Sequence, residues 1–128
     1  MAAQDGRVLL TRLRSSVPEP GLWTLPGGGL EWGESPEEAL HREVYEETGV
    51  EVADARLLAV ESHIGRTEGG SAELHNVLLL YRIDVVGAPR VVEVDGSTID
   101  VGWMTSADLD RVALVPAFDR YMRAAVTG

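Results

Sequence analysis

Cysteine and lysine are both absent from this 128-residue chain, and aromatic side chains make up only 5% of it. The lack of cysteine excludes disulfide frameworks, cysteine-ligated zinc, iron–sulfur clusters and thiol nucleophiles, and it is compatible with a reducing compartment. No apolar run approaches the ~20 residues that a membrane-spanning helix needs. The polar segment Met1–Gly6 lacks the apolar core of a signal peptide. We therefore expect a cytoplasmic protein with no membrane span.

Positive charge is also scarce, because 11 arginines face 21 acidic residues and the formal net charge is −10. Non-specific nucleic-acid binding and docking on anionic membranes both depend on basic side chains that neutralise phosphates. The composition therefore argues against nucleic acid and membrane surfaces as partners. The acidic excess is local, since residues 31–51 hold eight acidic side chains and one arginine, a net −7.

The length and the mixture of strand and helix patterns predict one α/β domain over residues 1–128. The expected strands are Arg7–Leu13, a strand pair or one long bent strand over Val50–Ser62, a buried central strand at Leu74–Val86, and a short strand through Val101, Trp103 and Met104. The expected irregular segments are Ser15–Gly21 and Thr67–Ala72, and the acidic stretch Glu93–Asp100 is expected to be either a loop or a strand edge. Ser106 is expected to cap a helical turn, and Pro116–Val126 to form a terminal helix.

The strongest local prediction is a helix from Pro36 to about Thr48. Ser35 offers an N-cap hydroxyl, proline suits the first helical position, and Glu38 completes a capping box. Gly49 is the expected C-terminal stop, because glycine adopts the left-handed conformation there at little cost.

Three glutamates of this helix, Glu43, Glu46 and Glu47, fall within about 100° of arc on one face. A solvated acidic face is one interpretation of this pattern. However, Glu43 and Glu47 lie among the apolar positions that define the core side of the helix, Ala39, Leu40 and Val44. Unpaired charge in a partly enclosed place is costly. An oxygen-only ligand set without cysteine then favours a hard divalent cation, Mg²⁺ or Mn²⁺.

The neighbours of this acidic cluster fit a phosphate and metal site. Arg42 is the only basic residue between Glu31 and Glu51, and it can hold one carboxylate in a bidentate pair. The glycine turn Gly27–Gly29 lets the backbone approach a ligand closely, although by itself it is equally an ordinary turn.

The segment Gly28–Val50 resembles the Nudix box, which reads G, five residues, E, seven residues, REU, one residue, EE, one residue, GU, with U a bulky aliphatic residue. All fixed positions match, namely Gly28, Glu34, Arg42, Glu43, Val44, Glu46, Glu47, Gly49 and Val50. The lead-in from Trp23 to Gly27 is also similar to that of the family. The box covers about a fifth of the chain, and its many fixed positions make it a specific signal.

This resemblance implies a Nudix hydrolase with an α/β/α sandwich and a mixed β-sheet. Such enzymes cleave the diphosphate of a nucleoside diphosphate linked to another moiety, using Mg²⁺ or Mn²⁺. By position, the metal ligands would be Glu43, Glu46 and Glu47, with the Gly27 carbonyl completing the shell. Glu43 would be either a ligand or the base that activates water. The catalytic group would be Glu43, Glu47, Arg42 and Glu34, the last two bracing the loop and helix.

Two departures from the family pattern carry further expectations. Many members have an extra strand before the one at Arg7, so here that strand is short, missing or supplied by a partner chain in a homodimer. Members also often use an acid outside the box, and the candidates are Glu93, Asp95 and Asp100. Of these we favour Asp100, because it precedes a predicted strand.

Substrate contacts are harder to predict. Arg12, Arg14 and Arg66 are candidates for substrate phosphate, with surface solubility as the alternative. The aromatic side chains that could stack on a base, or equally belong to the core, are Trp23, Trp32, Tyr81 and Phe118. His63 and His75 could contact phosphate or serve structural hydrogen bonds. We select Arg12, Arg14, Trp23 and Asp100 as the substrate-binding set.

Three functions remain open from the sequence. The first is hydrolysis of a small nucleotide, either a nucleoside triphosphate or a nucleotide sugar. The second is a non-catalytic module that senses a nucleotide or nucleotide sugar, and degenerate boxes of that kind usually lose one of the acids. The third is RNA-end processing, which the lack of a basic stripe disfavours.

Overall fold

In the computed structural model, residues 1–14 and 21–127 are described, so the predicted Ser15–Gly21 loop lies almost wholly outside them. The strands are β1 (Ala3–Gln4), β2 (Arg7–Leu13), β3 (Trp23–Thr24), β4 (Glu51–Arg66), β5 (Glu73–Val86) and β6 (Thr98–Thr105). The helices are α1 (Pro36–Thr48), α2 (Ser106–Leu109) and α3 (Asp119–Thr127). Within these ranges, no helix combines the length and apolar character needed to cross a membrane.

The central strand β2 has neighbours on both edges. It pairs antiparallel with β6 along its whole length on one edge, and with β1 and β3 on the other. The β1–β2 turn has positive φ at Asp5 and Gly6, 52° and 71°, as expected for a two-residue type I′ hairpin turn. The extra strand whose presence was uncertain is therefore present within this chain, as the two-residue β1.

The long strands β4 and β5 form an antiparallel hairpin with two register shifts along β4. A parallel bridge between Ala2 and Ile83 joins this hairpin to the β1–β2 side, so the assembled sheet is mixed. The sequence pattern of Val50–Ser62 predicts either a strand pair or one long bent strand. The structure has one strand, which continues to Arg66.

Side chains alternate across β2 into two separate apolar clusters. Val8 and Leu10 pack on one side with Leu109 and Met122 from α2 and α3, while Leu9 packs on the other side with the α1 residue Val44. Helices therefore cover both faces of the sheet. The predicted α/β/α sandwich with a mixed sheet is confirmed.

Two expectations for the C-terminal third need correction. Thr105 caps α2 in place of Ser106, because its hydroxyl accepts from the Asp108 N–H and Asp108 accepts from the Thr105 N–H in return. Ser106 has no acid three residues later and cannot form this reciprocal pair. The predicted terminal helix is divided into a 3₁₀ turn at Pro116–Phe118 and the α-helix α3.

The prediction of a buried central strand at Leu74–Val86 was only half right. The strand exists as β5, but burial is confined to its second half, at Leu80 and Ile83. The apolar residues of this segment point to both faces of the strand, and that pattern predicts a strand that is buried on both faces. In the described chain, the first half of β5 has an uncovered face.

Candidate active site

Helix α1 begins and ends where the sequence predicts. The Ser35 hydroxyl accepts from the Glu38 N–H at 3.2 Å, and Glu38 accepts from the Ser35 N–H at 3.2 Å. At the other end, Gly49 has φ 72° and donates to the Tyr45 carbonyl. The termini are thus fixed locally, which sets the rotation of every side chain along the helix.

The buried side of α1 is formed by Ala39, Val44 and Thr48. Glu43 and Glu47 are both only partly exposed, as their position among the apolar residues predicts. The helix therefore holds two carboxylates at the border between its core contacts and solvent.

Arg42 links the helix to the loop before it. Its guanidinium makes a bidentate pair with Glu34, with Nε–Oε2 at 2.7 Å and Nη2–Oε1 at 2.8 Å. Its Nη1 donates to Glu43 at 2.9 Å and Glu46 at 3.2 Å, and its Nη2 to the Gly29 carbonyl at 3.1 Å. These bonds lower the pKa of Glu34 to about 2 and raise that of Arg42. The bidentate pair predicted for Arg42 is present.

The glycine turn lies directly against two of the acids. The Gly27 N–H donates to Glu47 Oε2 at 2.9 Å. A Cβ on Gly28 would lie 2.5 Å from both Cδ and Oε1 of Glu43, closer than real contacts allow. A side chain at position 28 would therefore force the end of the Glu43 side chain to move.

We expect Gly28→Ala to displace the Glu43 carboxylate and to lower turnover about tenfold or more, the scale typical of residues that orient metal ligands. The matched control is Gly29→Ala, since apart from its two chain neighbours no atom of the described residues lies within 4 Å of where its Cβ would be. Steady-state hydrolysis of a nucleotide by both variants is the measurement. Equal rates for the two variants would contradict a positioning role for Gly28.

Glu47 lies in an environment that disfavours its ionised form. Burial raises its pKa to about 7, the Gly27 N–H partly opposes this, and the charges of Glu43, Glu93 and Glu46 raise it further. Among the candidate acids outside the box, Glu93 is the one whose charge contributes to the raised pKa of Glu47. Sequence reasoning included it among three candidates but favoured Asp100.

The donor set fits a hard divalent cation. The Glu47 carboxylate contacts the Gly27 N–H, and Glu43, Glu46 and Glu93 lie near enough for their charges to act on it, while the single Arg42 guanidinium is divided between Glu34, Glu43 and Glu46. Among the described residues, no three acidic or histidine side chains are already gathered in ligand geometry. Glu43 and Glu46 point to Arg42, so ligation requires a change of side-chain rotamer.

Three of the four substrate-binding candidates are neighbours in the sheet, because Trp23 and Asp100 are the register partners of Arg12 on its two sides. Arg12 donates to the Gly21 carbonyl at 3.3 Å, and Arg14 to the Gly96 carbonyl at 2.6 Å. Asp100 is the register partner of Arg12 and accepts from the Val101 N–H at 2.8 Å.

The aromatic and remaining polar candidates divide between core and surface. Trp23 is only 8% exposed within the α2–α3 cluster, which leaves little of its ring for stacking. Phe118 and Tyr81 pack against the two clusters, whereas Trp32 is fully exposed. His63 lies 3.8 Å from Glu61, and Arg66 donates to the Gly70 carbonyl at 3.4 Å. His75 is exposed on β5.

Comparison with known proteins identifies the family. The model of the NUDIX domain matches residues 1–126, so this chain belongs to the Nudix family. The nucleoside triphosphatase NudI of Enterobacter sp. (strain 638) is 34% identical over 114 residues, covering 86% of this chain and 81% of that protein.

Solved structures agree with this assignment. The MutT NUDIX hydrolase from Burkholderia pseudomallei superposes with a TM-score of 0.74 at 38% identity, covering 98% of this chain and 93% of that one. The NUDIX domain of Shewanella oneidensis NrtR, solved with ADP ribose, has a TM-score of 0.74 at 25% identity, covering 98% and 82%. The chain is a Nudix pyrophosphohydrolase that acts on nucleotide-type substrates.

Proposed function

We propose that this protein hydrolyses a phosphoanhydride bond of nucleoside triphosphates in a reaction that depends on Mg²⁺, with Mn²⁺ as a substitute. The observation that carries the proposal is the contact of the Gly27–Gly28 backbone with the Glu47 and Glu43 carboxylates, beside Glu46. The choice of triphosphates over nucleotide sugars is supported by the relatives named nucleoside triphosphatases.

The metal ligands in this proposal are Glu43, Glu46, Glu47 and the Gly27 carbonyl, with Glu93 as the additional acid from outside the box. Bound Mg²⁺ would neutralise negative charge that develops on the phosphates. Like-charge repulsion within the acid cluster supports this assignment, because Arg42 supplies one positive charge to several carboxylates.

The remaining chemistry belongs to the protein's own side chains. Arg42 and Glu34 hold the loop on α1 and so fix the distance between the glycine turn and the acids. The base that accepts a proton from the attacking water is Glu43 or Glu47. The pKa of Glu47 lies near 7 in the metal-free site, and bound Mg²⁺ would lower it and so favour the ionised carboxylate that accepts a proton.

Of the candidate arginines, we assign Arg12 to contact the nucleotide. Asp100 lies beside it as its register partner across β2 and β6. Arg14 contributes by holding the Gly96 backbone, three residues after Glu93. The burial of Trp23 makes the exposed Trp32 the better candidate for base stacking. A cytoplasmic location remains a prediction.

The test is a screen of the common ribonucleoside and deoxyribonucleoside triphosphates, nucleotide sugars and ADP-ribose with Mg²⁺, detecting phosphate and pyrophosphate. We expect triphosphates to be turned over at least tenfold faster than the other classes, and chelation of the metal to abolish turnover. Faster cleavage of nucleotide sugars or ADP-ribose would reject the substrate class while leaving the family chemistry in place.

A non-catalytic sensing role is the second candidate, and the ADP ribose bound to the similar NrtR domain is the observation that favours it. Calorimetry with ADP-ribose and nucleoside triphosphates separates the two functions. Tight binding without hydrolysis over hours would support sensing and reject the enzyme.

A further inference from the structure

The outer half of the β4–β5 hairpin presents an apolar face to solvent. The exposed fractions are 56% for Val60, 72% for Ile64, 64% for Val77 and 36% for Leu79. Directly opposed residues of antiparallel strands share a face, and alternate residues along a strand lie on the same side. The register therefore defines one surface, the outer hairpin face, composed of the pairs Val60–Leu79, Ser62–Val77, Ile64–His75 and Arg66–Glu73.

The reverse side of the same segment is covered within the chain near Leu80 and Glu61, whereas Leu74 at the tip of the hairpin is 41% exposed. Leu80 is buried in the α2–α3 cluster with Ala59 packed against it, and Glu61 accepts a hydrogen bond from the Tyr121 hydroxyl of α3. Helix α1 covers the hairpin only near its base, at Ile83. In the described part of the chain, nothing buries the outer hairpin face.

This arrangement departs from the usual pattern of a half-buried antiparallel strand. Such strands alternate apolar residues toward the core with polar residues toward water. Here four of the eight water-facing positions are valine, isoleucine or leucine, and the other four are Ser62, Arg66, Glu73 and His75. Contiguous exposed apolar surface on a soluble protein marks an interaction site when it is confined to one patch.

Charge decides what that patch can bind. The outer hairpin face carries one arginine and one glutamate, Arg66 and Glu73, which oppose each other in register, so its formal charge is zero. The whole chain carries −10. Anionic lipid extends beyond the patch and is repelled by the rest of the molecule, a basic partner would gain more from the acidic surface elsewhere, and a partner that touches only this face meets no net charge.

We propose that the outer hairpin face is the contact surface of a homodimer, with the same face of a second copy as its occupant. A two-fold contact needs a surface complementary to itself. The outer hairpin face meets that requirement, because it combines apolar residues with one positive and one negative side chain. Since this face has no net charge, two acidic copies repel each other least when they meet there. Because β1 is present within this chain, a missing strand is no longer a reason for dimerisation. The uncovered outer hairpin face provides the reason instead.

Val77→Lys tests this interface with a close control on the same strand. Val86 is 63% exposed against 64% for Val77, but it lies at the opposite end of β5, outside the outer hairpin face. Sedimentation equilibrium over a range of protein concentrations would measure assembly for the wild type, Val77→Lys and Val86→Lys. Circular dichroism would check that all three chains are folded.

We expect the wild type to form a species of twice the 13.8 kDa chain mass. Burying an unpaired lysine should raise the dimer dissociation constant at least about 100-fold for Val77→Lys, and Val86→Lys should match the wild type. A wild-type monomer at all concentrations, assembly unaffected by Val77→Lys, or open-ended aggregation in place of a dimer would overturn the proposal. Wild-type binding to lipid vesicles that Val77→Lys abolishes, without dimerisation, would assign the face to membranes and also overturn it.

Discussion

Glu47→Gln is expected to lower kcat/KM at least about 100-fold, because it removes both a proposed metal ligand and a candidate base. Glutamine keeps the size of the side chain, and its amide oxygen can still accept from the Gly27 N–H, which lies 2.9 Å from Glu47 Oε2. The loop contact should therefore survive while the negative charge is lost. Nucleotide hydrolysis at saturating Mg²⁺ measures the effect.

The same substitution is expected to stabilise the metal-free protein. The pKa of Glu47 is raised from 4.5 to about 7, so between those values the folded state binds the proton more tightly than the unfolded state. This group's contribution to the free energy of unfolding is therefore present at low pH and is lost as pH rises toward and through 7. After allowance for partial solvent exposure, we expect Glu47→Gln to raise the free energy of unfolding by about 2 kcal/mol at pH 8 and hardly at all at pH 4.

Denaturant unfolding with chelator present, at pH 4 and pH 8, checks the second effect. Adding Mg²⁺ at pH 8 should then stabilise the wild type more than Glu47→Gln, because binding to the native state adds to its stability. Glu51→Gln is the matched control, since it removes one exposed charge just beyond α1 and should leave activity and stability nearly unchanged. Unaltered turnover by Glu47→Gln would remove Glu47 from the site.

What could be predicted from the sequence is the part of the site fixed by local contacts. The capping pair of Ser35 and Glu38, the stop at Gly49 and the spacing of Glu43 and Glu47 all lie on one helix. Because 3.6 residues per turn relates these positions directly, their common face follows from spacing alone. The Nudix box then supplied the family, which the domain match confirms.

Which acid outside the Nudix box lies near the site depends on tertiary contacts. The spacing of residues along the sequence does not reveal these contacts. The segment after Gly87 returns to the end of α1, where the Arg90 N–H donates to the Thr48 carbonyl at 2.7 Å and Val92 packs near Gly49. This return places Glu93 close enough to affect Glu47. Asp100 lies farther along the chain, in β6, where its register partner is Arg12.

The burial error at Leu74–Val86 has a related cause. A run that is apolar on both faces predicts cover on both faces, but it does not say whether this chain or another molecule supplies the cover. Here the reverse side is covered by the α2–α3 cluster at Leu80, and Val77 remains exposed. The hydropathy of β5 is then consistent with a surface that is buried only on assembly.

Arg42→Lys is expected to lower activity by about 10–100-fold, the range typical of residues that orient metal ligands, with a larger change in kcat than in KM. Lysine keeps the charge but cannot reproduce the bidentate bonds to Glu34 while also donating to Glu43 and the Gly29 carbonyl. The loop should then lose its fixed position on α1. Arg56→Lys on β4 is the matched control at an exposed arginine and should retain full activity.

The pH dependence of stability distinguishes this geometric role from a simple loss of charge balance. The pKa of Glu34 is lowered to about 2, so the Glu34–Arg42 pair stabilises the fold fully above pH ~4.5 and loses that effect as pH falls through 2. The wild type should therefore unfold at higher denaturant concentration than Glu34→Gln at pH 7, and the difference should shrink toward zero near pH 2. Arg42→Lys should show a smaller pH-dependent loss than the wild type, because a single ammonium holds the pKa of Glu34 less far below its ordinary value. A pH profile of Arg42→Lys that matches the wild type, combined with full activity, would show that the bidentate geometry is dispensable.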